Sequence, residues 1–144
     1  MLCAAACASS HDPTPPTSLT KAPIIVAAML PRVDGTDLPN LSWAIETINA
    51  AGGVADGHPI AVEYVDASAD TEAVARTVAE NPRYVAAIAP PGDVALATVA
   101  PIFSSAHKPI ISTTSSSDEI LRQFGGKGAV WRARQEDVAE TELL

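Results

Sequence analysis

Apolar residues in this chain fall into short continuous runs, separated by stretches in which they return every three or four positions. The first run, residues 22–30 (APIIVAAML), ends at Pro31 and has the pattern of a central parallel strand covered on both faces. After a polar loop over residues 32–39, Leu41, Ala44, Ile45 and Ile48 mark one face of a helix. Asn40 is placed to cap its start, and Gly52 and Gly53 to end it. A turn at Asp56, Gly57, His58 and Pro59 leads into a second strand, residues 60–65 (IAVEYV), whose Glu63 predicts an edge or partly wet position. Asp70 caps a short helix with Val74 and Val78 on one side, and Asn81-Pro82 stops it, because proline disfavours helical backbone before it and donates no hydrogen bond.

The same cadence repeats. Residues 84–89 (YVAAIA) read as a third strand, and Pro90-Pro91-Gly92-Asp93 as a rigid turn. Asp93 is predicted to cap a helix from Val94 to about Ser105, with Leu96, Val99 and Phe103 toward the sheet and Pro101 kinking or dividing it. Pro109-Ile110-Ile111 is a short fourth strand, followed at once by six hydroxyl residues, 112–117. Asp118 and Glu119 then fall in the first turn of a further helix, where negative charge is favourable. FGGKG (124–128) reads as a loop, residues 129–131 as a fifth strand, and residues 137–144 as the start of a helix. Strands and helices in alternation predict an α/β fold: a three-layer parallel sheet with helices on both faces and right-handed crossovers. Functional loops in such a sheet lie beyond the carboxyl ends of the strands.

Composition narrows the function classes. A length of 144 residues suits one domain. With 47% apolar but only 4% aromatic residues, the core must be built from Ala, Val, Ile and Leu, small enough for helices to approach the sheet closely. A net charge of −8 without a basic stripe argues against a nucleic-acid partner. No apolar run reaches the roughly 18 to 20 residues that span a membrane. Residues 1–20 read as a tether before a folded unit over 21–144, because HDPTPPTSLT (11–20) has little to bury. Cys3 and Cys7 lie in that tether and have no nearby Cys/His pair to complete a metal site, so neither metal nor cofactor is expected. Ala4-Ala5-Ala6-Cys7 resembles the cleavage and lipid-attachment site of bacterial lipoproteins. Cys7 is thus a candidate lipidation site at the end of a truncated signal peptide, the alternative being a disordered Ala-rich terminus.

The hydroxyl run from Ser112 is the strongest candidate site. It follows a buried strand and precedes a helix amino terminus, where hydroxyls and backbone N–H groups together hold a carboxylate or another small anion. Ordinary turn and cap chemistry is the competing reading. Asp93 is a cap first and a ligand contact second, and the loop from Arg32 to Asp37 lies at the same end of the sheet. Catalytic readings find no support: there is no G-x-S-x-G elbow, no H-E-x-x-H pair and no paired carboxylates at neighbouring strand ends. FGGKG lacks the spacing and Lys-Ser/Thr ending of a phosphate loop. His58 and His107 fall in turns without an evident nucleophile or acidic partner. A phosphate-accepting receiver would need acidic residues where Pro31-Arg32 and Ala89-Pro90 stand. The chain therefore reads as a binder and not an enzyme.

The stretch AIETINAAGGVADGHPIAVEYVDASAD from Ala44, IAPPGDVALATVAPIF from Ile88, HKPIISTTSSS from His107 and VWRARQEDVAE from Val130 follow one another in an order that resembles the amino-terminal lobe of type 1 periplasmic-binding proteins. The branched-chain amino-acid binding proteins of bacterial ABC importers are the most similar group. The resemblance implies an extracytoplasmic protein, periplasmic or lipid-anchored at the cell surface. In that resemblance two lobes are expected to close on a small polar ligand, such as an amino acid, and deliver it to an ABC importer permease, with the second lobe lying outside these residues. It also implies ligand-binding roles for Ser112, Ser115 and Ser116, Ser115 through its main chain and Ser116 through its hydroxyl. Gly92 stands where amino-acid binders often have a Ser, with Asp93 beside it, and Arg132 and Asp137 take the positions of a recurrent Arg and Asp. The other readings are a ligand-sensing domain of a receptor or regulator, and a residual lobe without a ligand.

Overall fold

A computed structural model describes residues 21–30, 39–125 and 128–133. In chain order the elements are β1 (Ile24–Ala28), α1 (Pro39–Ala50), β2 (Ile60–Tyr64), α2 (Thr71–Glu80), β3 (Tyr84–Ile88), α3 (Asp93–Ser105), β4 (Ile110–Ser112), α4 (Asp118–Phe124) and β5 (Val130–Arg132). The strands form one sheet in the order β2-β1-β3-β4-β5, and every pairing is parallel. The chain steps from β1 to β2 in one direction, then crosses back over β1 to β3 and continues that way. Right-handed crossovers consequently place α1 on one face and α2, α3 and α4 on the other. The expected three-layer parallel α/β architecture is the one observed. Its strand order reverses between β1 and β3, the kind of position beyond which sheets of this class form a crevice.

Register decides what each face contains. Ala27 lies beside Ala87, Ala87 beside Ile110 and Ile110 beside Val130, a row of buried side chains under α2, α3 and α4. Leu96, Val99 and Phe103 of α3, with Val78 of α2 and Ile120 of α4, close over it. Alanines at 27, 75, 79, 87 and 100 let the helices sit close, which is how so few aromatic residues suffice. The next row, Ala28, Ile88, Ile111 and Trp131, points to the opposite face. There Ile111 is 40% and Trp131 57% exposed, and the indole N–H of Trp131 donates to the Gly128 carbonyl at 3.0 Å. The apolar stripe of α1 is only half-buried at Leu41, Ala44 and Ile45.

Helix ends are set by specific groups. The amide of Gly53 reaches the Ile48 carbonyl at 3.0 Å, with φ of +108° at Gly52 and +75° at Gly53, the backbone that closes a helix through glycine. The Asn49 side chain then brackets Ile60, accepting from its amide at 2.8 Å and donating to its carbonyl at 3.0 Å, which ties the end of α1 to the start of β2. Asp70 accepts from the Ala73 amide at the start of α2, as expected. At the other end of α2, Lys108 Nζ donates to the carbonyls of Val78 (3.0 Å) and Asn81 (2.6 Å), and partial burial lowers the pKa of its ammonium. On edge strand β2, Glu63 accepts from Arg83 and, at 3.2 Å, from the Tyr84 hydroxyl. A bulge between the Ile25 and Val26 pairings makes this possible, because it turns Tyr84 to the same face as Ala87 although the two are an odd three positions apart.

Three local expectations are corrected. Asn40 lies in the first turn of α1, since Pro39 opens the helix with a φ already suited to it. Gly92, not Asp93, is the capping residue of α3: its φ of +92° admits the turn, it has no side chain to bond the helix, and Asp93 is the first helical residue. Pro101 does not divide α3, because it sits on the exposed side while its neighbours Val99, Ala100 and Phe103 are fully buried and hold the helix to the sheet. The tether with Cys7, the loop after Pro31 and the helix expected at 137–144 lie outside the described residues.

Candidate functional site

Beyond the carboxyl ends of β3 and β4, two loops meet. The β3–α3 turn presents Pro90, Pro91, Gly92 and Asp93, and the β4–α4 loop presents the six hydroxyl residues. They are stitched together: the Gly92 amide donates to Thr114 Oγ1 at 2.9 Å, and the Ser115 hydroxyl donates to the Asp93 carboxylate. Within the second loop, Ser112 Oγ accepts from the Ser115 amide at 3.0 Å, and Ser115 Oγ accepts from the Ser117 amide at 3.4 Å. Ser112 and Ser115 are buried, at 0% and 1% exposure. Their hydroxyls hold the loop in shape, which in a buried position is what keeps backbone amides satisfied.

The remaining members differ in exposure. Thr113, Thr114, Gly92 and Asp93 are exposed, and Ser116 is half-buried. Among the three serines singled out in the sequence, Ser116 is the one with surface left to offer. The structure therefore brings Ser112, Ser115, Ser116, Gly92 and Asp93 into one cluster beyond the carboxyl ends of β3 and β4, with an interior pair and an outward set. α4 has only seven residues, and its first turn already carries Asp118 and Glu119.

Sequence reasoning gave Arg132 no role in the site. From the end of β5, paired in register with Ser112, its guanidinium donates through Nη1 to the Ser116 carbonyl at 2.8 Å and to Asp118 Oδ1 at 2.9 Å. The arginine side chain is only 6% exposed. Its match to a recurrent Arg of the family that the sequence resembles was the available signal, but nothing local says where the side chain goes. Among the described residues no group of three His, Cys, Asp or Glu side chains is arranged to hold a metal ion. A groove of about 650 Å³ between α2 and α3, lined by Glu72, Arg76, Ala97 and Pro101, lies in the helical layer and does not reach these loops.

A parallel sheet with polar loops gathered beyond the carboxyl ends of adjacent strands has the layout of a ligand-binding α/β lobe. Residues 39–138 match the receptor family ligand binding region, and the chain belongs to that family. No curated protein sequence matches it. Among solved structures it is similar to an ABC transporter substrate-binding protein from Desulfitobacterium hafniense, with 25% identity and a TM-score of 0.70 over 80% of this chain and 35% of that one. A leucine complex of an ABC transporter substrate-binding protein from the same organism matches at 24% identity and a TM-score of 0.69, covering 80% of this chain and 35% of that one. The branched-chain amino acid transporter substrate binding protein LivJ from Streptococcus pneumoniae, in complex with isoleucine, has 20% identity and a TM-score of 0.63 over 79% of this chain and 34% of that one. These last two likenesses bear on the fold. The chain spans about a third of the length of the structures it matches. The proteins it is similar to are described as substrate-binding proteins, in line with the reading of the sequence as a binder.

Proposed function

We propose that this chain is the first lobe of an extracytoplasmic two-lobed protein that captures a small polar solute, of the amino-acid type, for an ABC importer and its permease. The observation that carries the reading is the pair of interlocked polar loops beyond β3 and β4, on a lobe that resembles a substrate-binding protein over 80% of its residues. In this reading Ser116 and the Gly92 turn, with Asp93, face the solute, and Ser112 and Ser115 shape the surface they stand on. Residues 1–20 tether the lobe, with Cys7 as the site of lipid attachment. A diacylglyceryl group on Cys7 in membrane-extracted protein is the mass-spectrometric test of that part. A ligand-sensing domain of a receptor is the second reading, favoured by the description of the family itself. Co-purification with an importer permease separates the two.

One lobe offers one wall of a cleft, so the isolated chain should bind amino acids weakly. Losing half the roughly 8 kcal/mol of a micromolar complex leaves a Kd near the millimolar level. Titration with L-leucine, followed by amide chemical shifts, should move residues 112–117 and 92–93. Ser116→Ala should weaken binding about tenfold, as expected for a partly wet hydrogen bond to a charged group. Shifts confined to the amino-terminal ends of the strands would overturn the site, and micromolar affinity in a monomer would overturn the one-wall argument.

A further inference from the structure

Most of the hydroxyl loop is held from within or from the β3–α3 turn. Ser112 holds the Ser115 amide, Ser115 holds the Ser117 amide and Asp93, and Thr114 holds Gly92. Ser116, half-buried and keeping accessible surface, is instead fixed from β5. The Ala133 amide donates to the Ser112 carbonyl at 2.9 Å, which seals the ends of β4 and β5 together. Arg132 leaves β5 on the same face as Ser112, and one of its nitrogens bridges the Ser116 carbonyl and the Asp118 carboxylate. Its side chain is more than nine-tenths buried.

A buried guanidinium is stable only when its charge is paired and its donors are satisfied, so moving the loop away would remove an acceptor and a neutralising carboxylate from that charge. Donation to a carbonyl and a carboxylate at once also fixes direction. The Ser116 peptide must keep its carbonyl turned toward β5, and its side chain is set on the chain accordingly. Asp118 completes the arrangement: it neutralises the arginine and anchors the point where the loop becomes α4.

We propose that Arg132, paired with Asp118, is the positioning residue of the site: it sets the orientation of the Ser116 peptide and thereby the placement of the Ser116 hydroxyl toward a solute. This rests on the reading of the site given above. It does not require Arg132 to touch the solute. A positively charged residue near a cleft for carboxylates invites assignment as a direct ligand, but this one is turned inward and engaged by the loop.

The test uses the whole chain with Arg132→Met, Arg132→Lys and Asp118→Asn. Asp118→Asn keeps the side-chain shape and serves if the arginine variants fold poorly. Amide hydrogen exchange is the first readout. In Arg132→Met and Asp118→Asn the amides of Ser115 and Ser117 should exchange at least tenfold faster, while those of Met29 and Ala87, bonded within the sheet, change less than twofold. Arg132→Lys, which keeps the charge on a shorter and less directional group, should fall between. L-leucine titration is the second readout, and Arg132→Met should weaken the shift-detected affinity about tenfold, like Ser116→Ala, with little further loss when the two changes are combined. Unaltered exchange at Ser115 and Ser117 in a folded Arg132→Met protein would overturn the proposal, as would full additivity of the two substitutions on leucine affinity. If the unmodified chain shows no leucine-dependent shift at residues 112–117 while the exchange pattern appears as expected, the solute reading of the site fails and the anchoring of the loop by Arg132 stands.

Discussion

The two faces of the sheet are built from the same strands and nearly the same residue types, yet they differ in how completely they are covered. On one face Ala27, Ala87, Ile110 and Val130 lie under three helices and are at most 2% exposed. On the other, among the described residues, α1 stands alone, Val85 is 49% and Trp131 57% exposed, and no residue of α1 reaches full burial. A purely parallel sheet ordinarily has both faces covered, so the contrast shows that burial here follows crossover topology more than side-chain hydrophobicity. Ile110 and Ile111 are neighbours of identical chemistry, one at 0% exposure and the other at 40%. Alternation along the strand alone separates them.

The sharpest way to break this comparison is to remove a large side chain from the covered face. Phe103→Ala should destabilise the chain by about 3–5 kcal/mol, the range for aromatic truncation in a closed core, and urea unfolding measures it. A loss below about 1 kcal/mol would mean that α3 is not packed as described. Next in size is Lys108→Met, which keeps the aliphatic stem but strips two carbonyls at the end of α2 of their charged donor. The expected cost is about 1–2 kcal/mol, concentrated in faster amide exchange over the last turn of α2.

A smaller effect should appear in alkaline solution. Burial, and then the hydrogen bond to Glu63, raise the pKa of Tyr84 above its ordinary value of 10.0. The native state therefore holds the phenol proton more tightly than the unfolded chain does. The associated stability is fully present below pH 10 and is lost as pH rises through the higher native value. Tyr84→Phe should lack this component of the alkaline loss in a pH series of urea melts, and an unchanged slope would show that other groups cause it. The smallest effect belongs to the open face. Ile111→Thr should change stability by no more than about 0.5 kcal/mol, as for other exposed positions. A cost near that of Phe103→Ala would mean that the α1 face is covered in solution.

Much of this molecule was readable from the order of its residues. Apolar runs located all five strands to within a residue or two, the three-and-four spacing located the helices, and the polar sequel to Ile111 marked the loop beyond the carboxyl end of β4. These features are local: side-chain alternation, proline's missing donor and glycine's access to positive φ act over a few residues and leave their record in spacing. Errors were local as well. Asp93 has the chemistry of a cap, but the backbone turn at Gly92 takes that position and releases the carboxylate to Ser115.

What the tertiary structure alone decided is which distant polar groups meet. Lys108 ends a helix that closed 28 residues earlier at Glu80, Asp93 finds Ser115, and Arg132 reaches back to Ser116 and Asp118. None of these pairs lies on a shared helical turn or strand, so no periodicity encodes them. They exist because the order β2-β1-β3-β4-β5 sets β4 between β3 and β5, bringing the ends of three strands within side-chain reach of one loop. Chain pattern determined the elements and the end of the sheet at which the candidate loops lie. Strand order determined that Ser112 and Ser115 turn inward to hold the loop, while Ser116 keeps accessible surface.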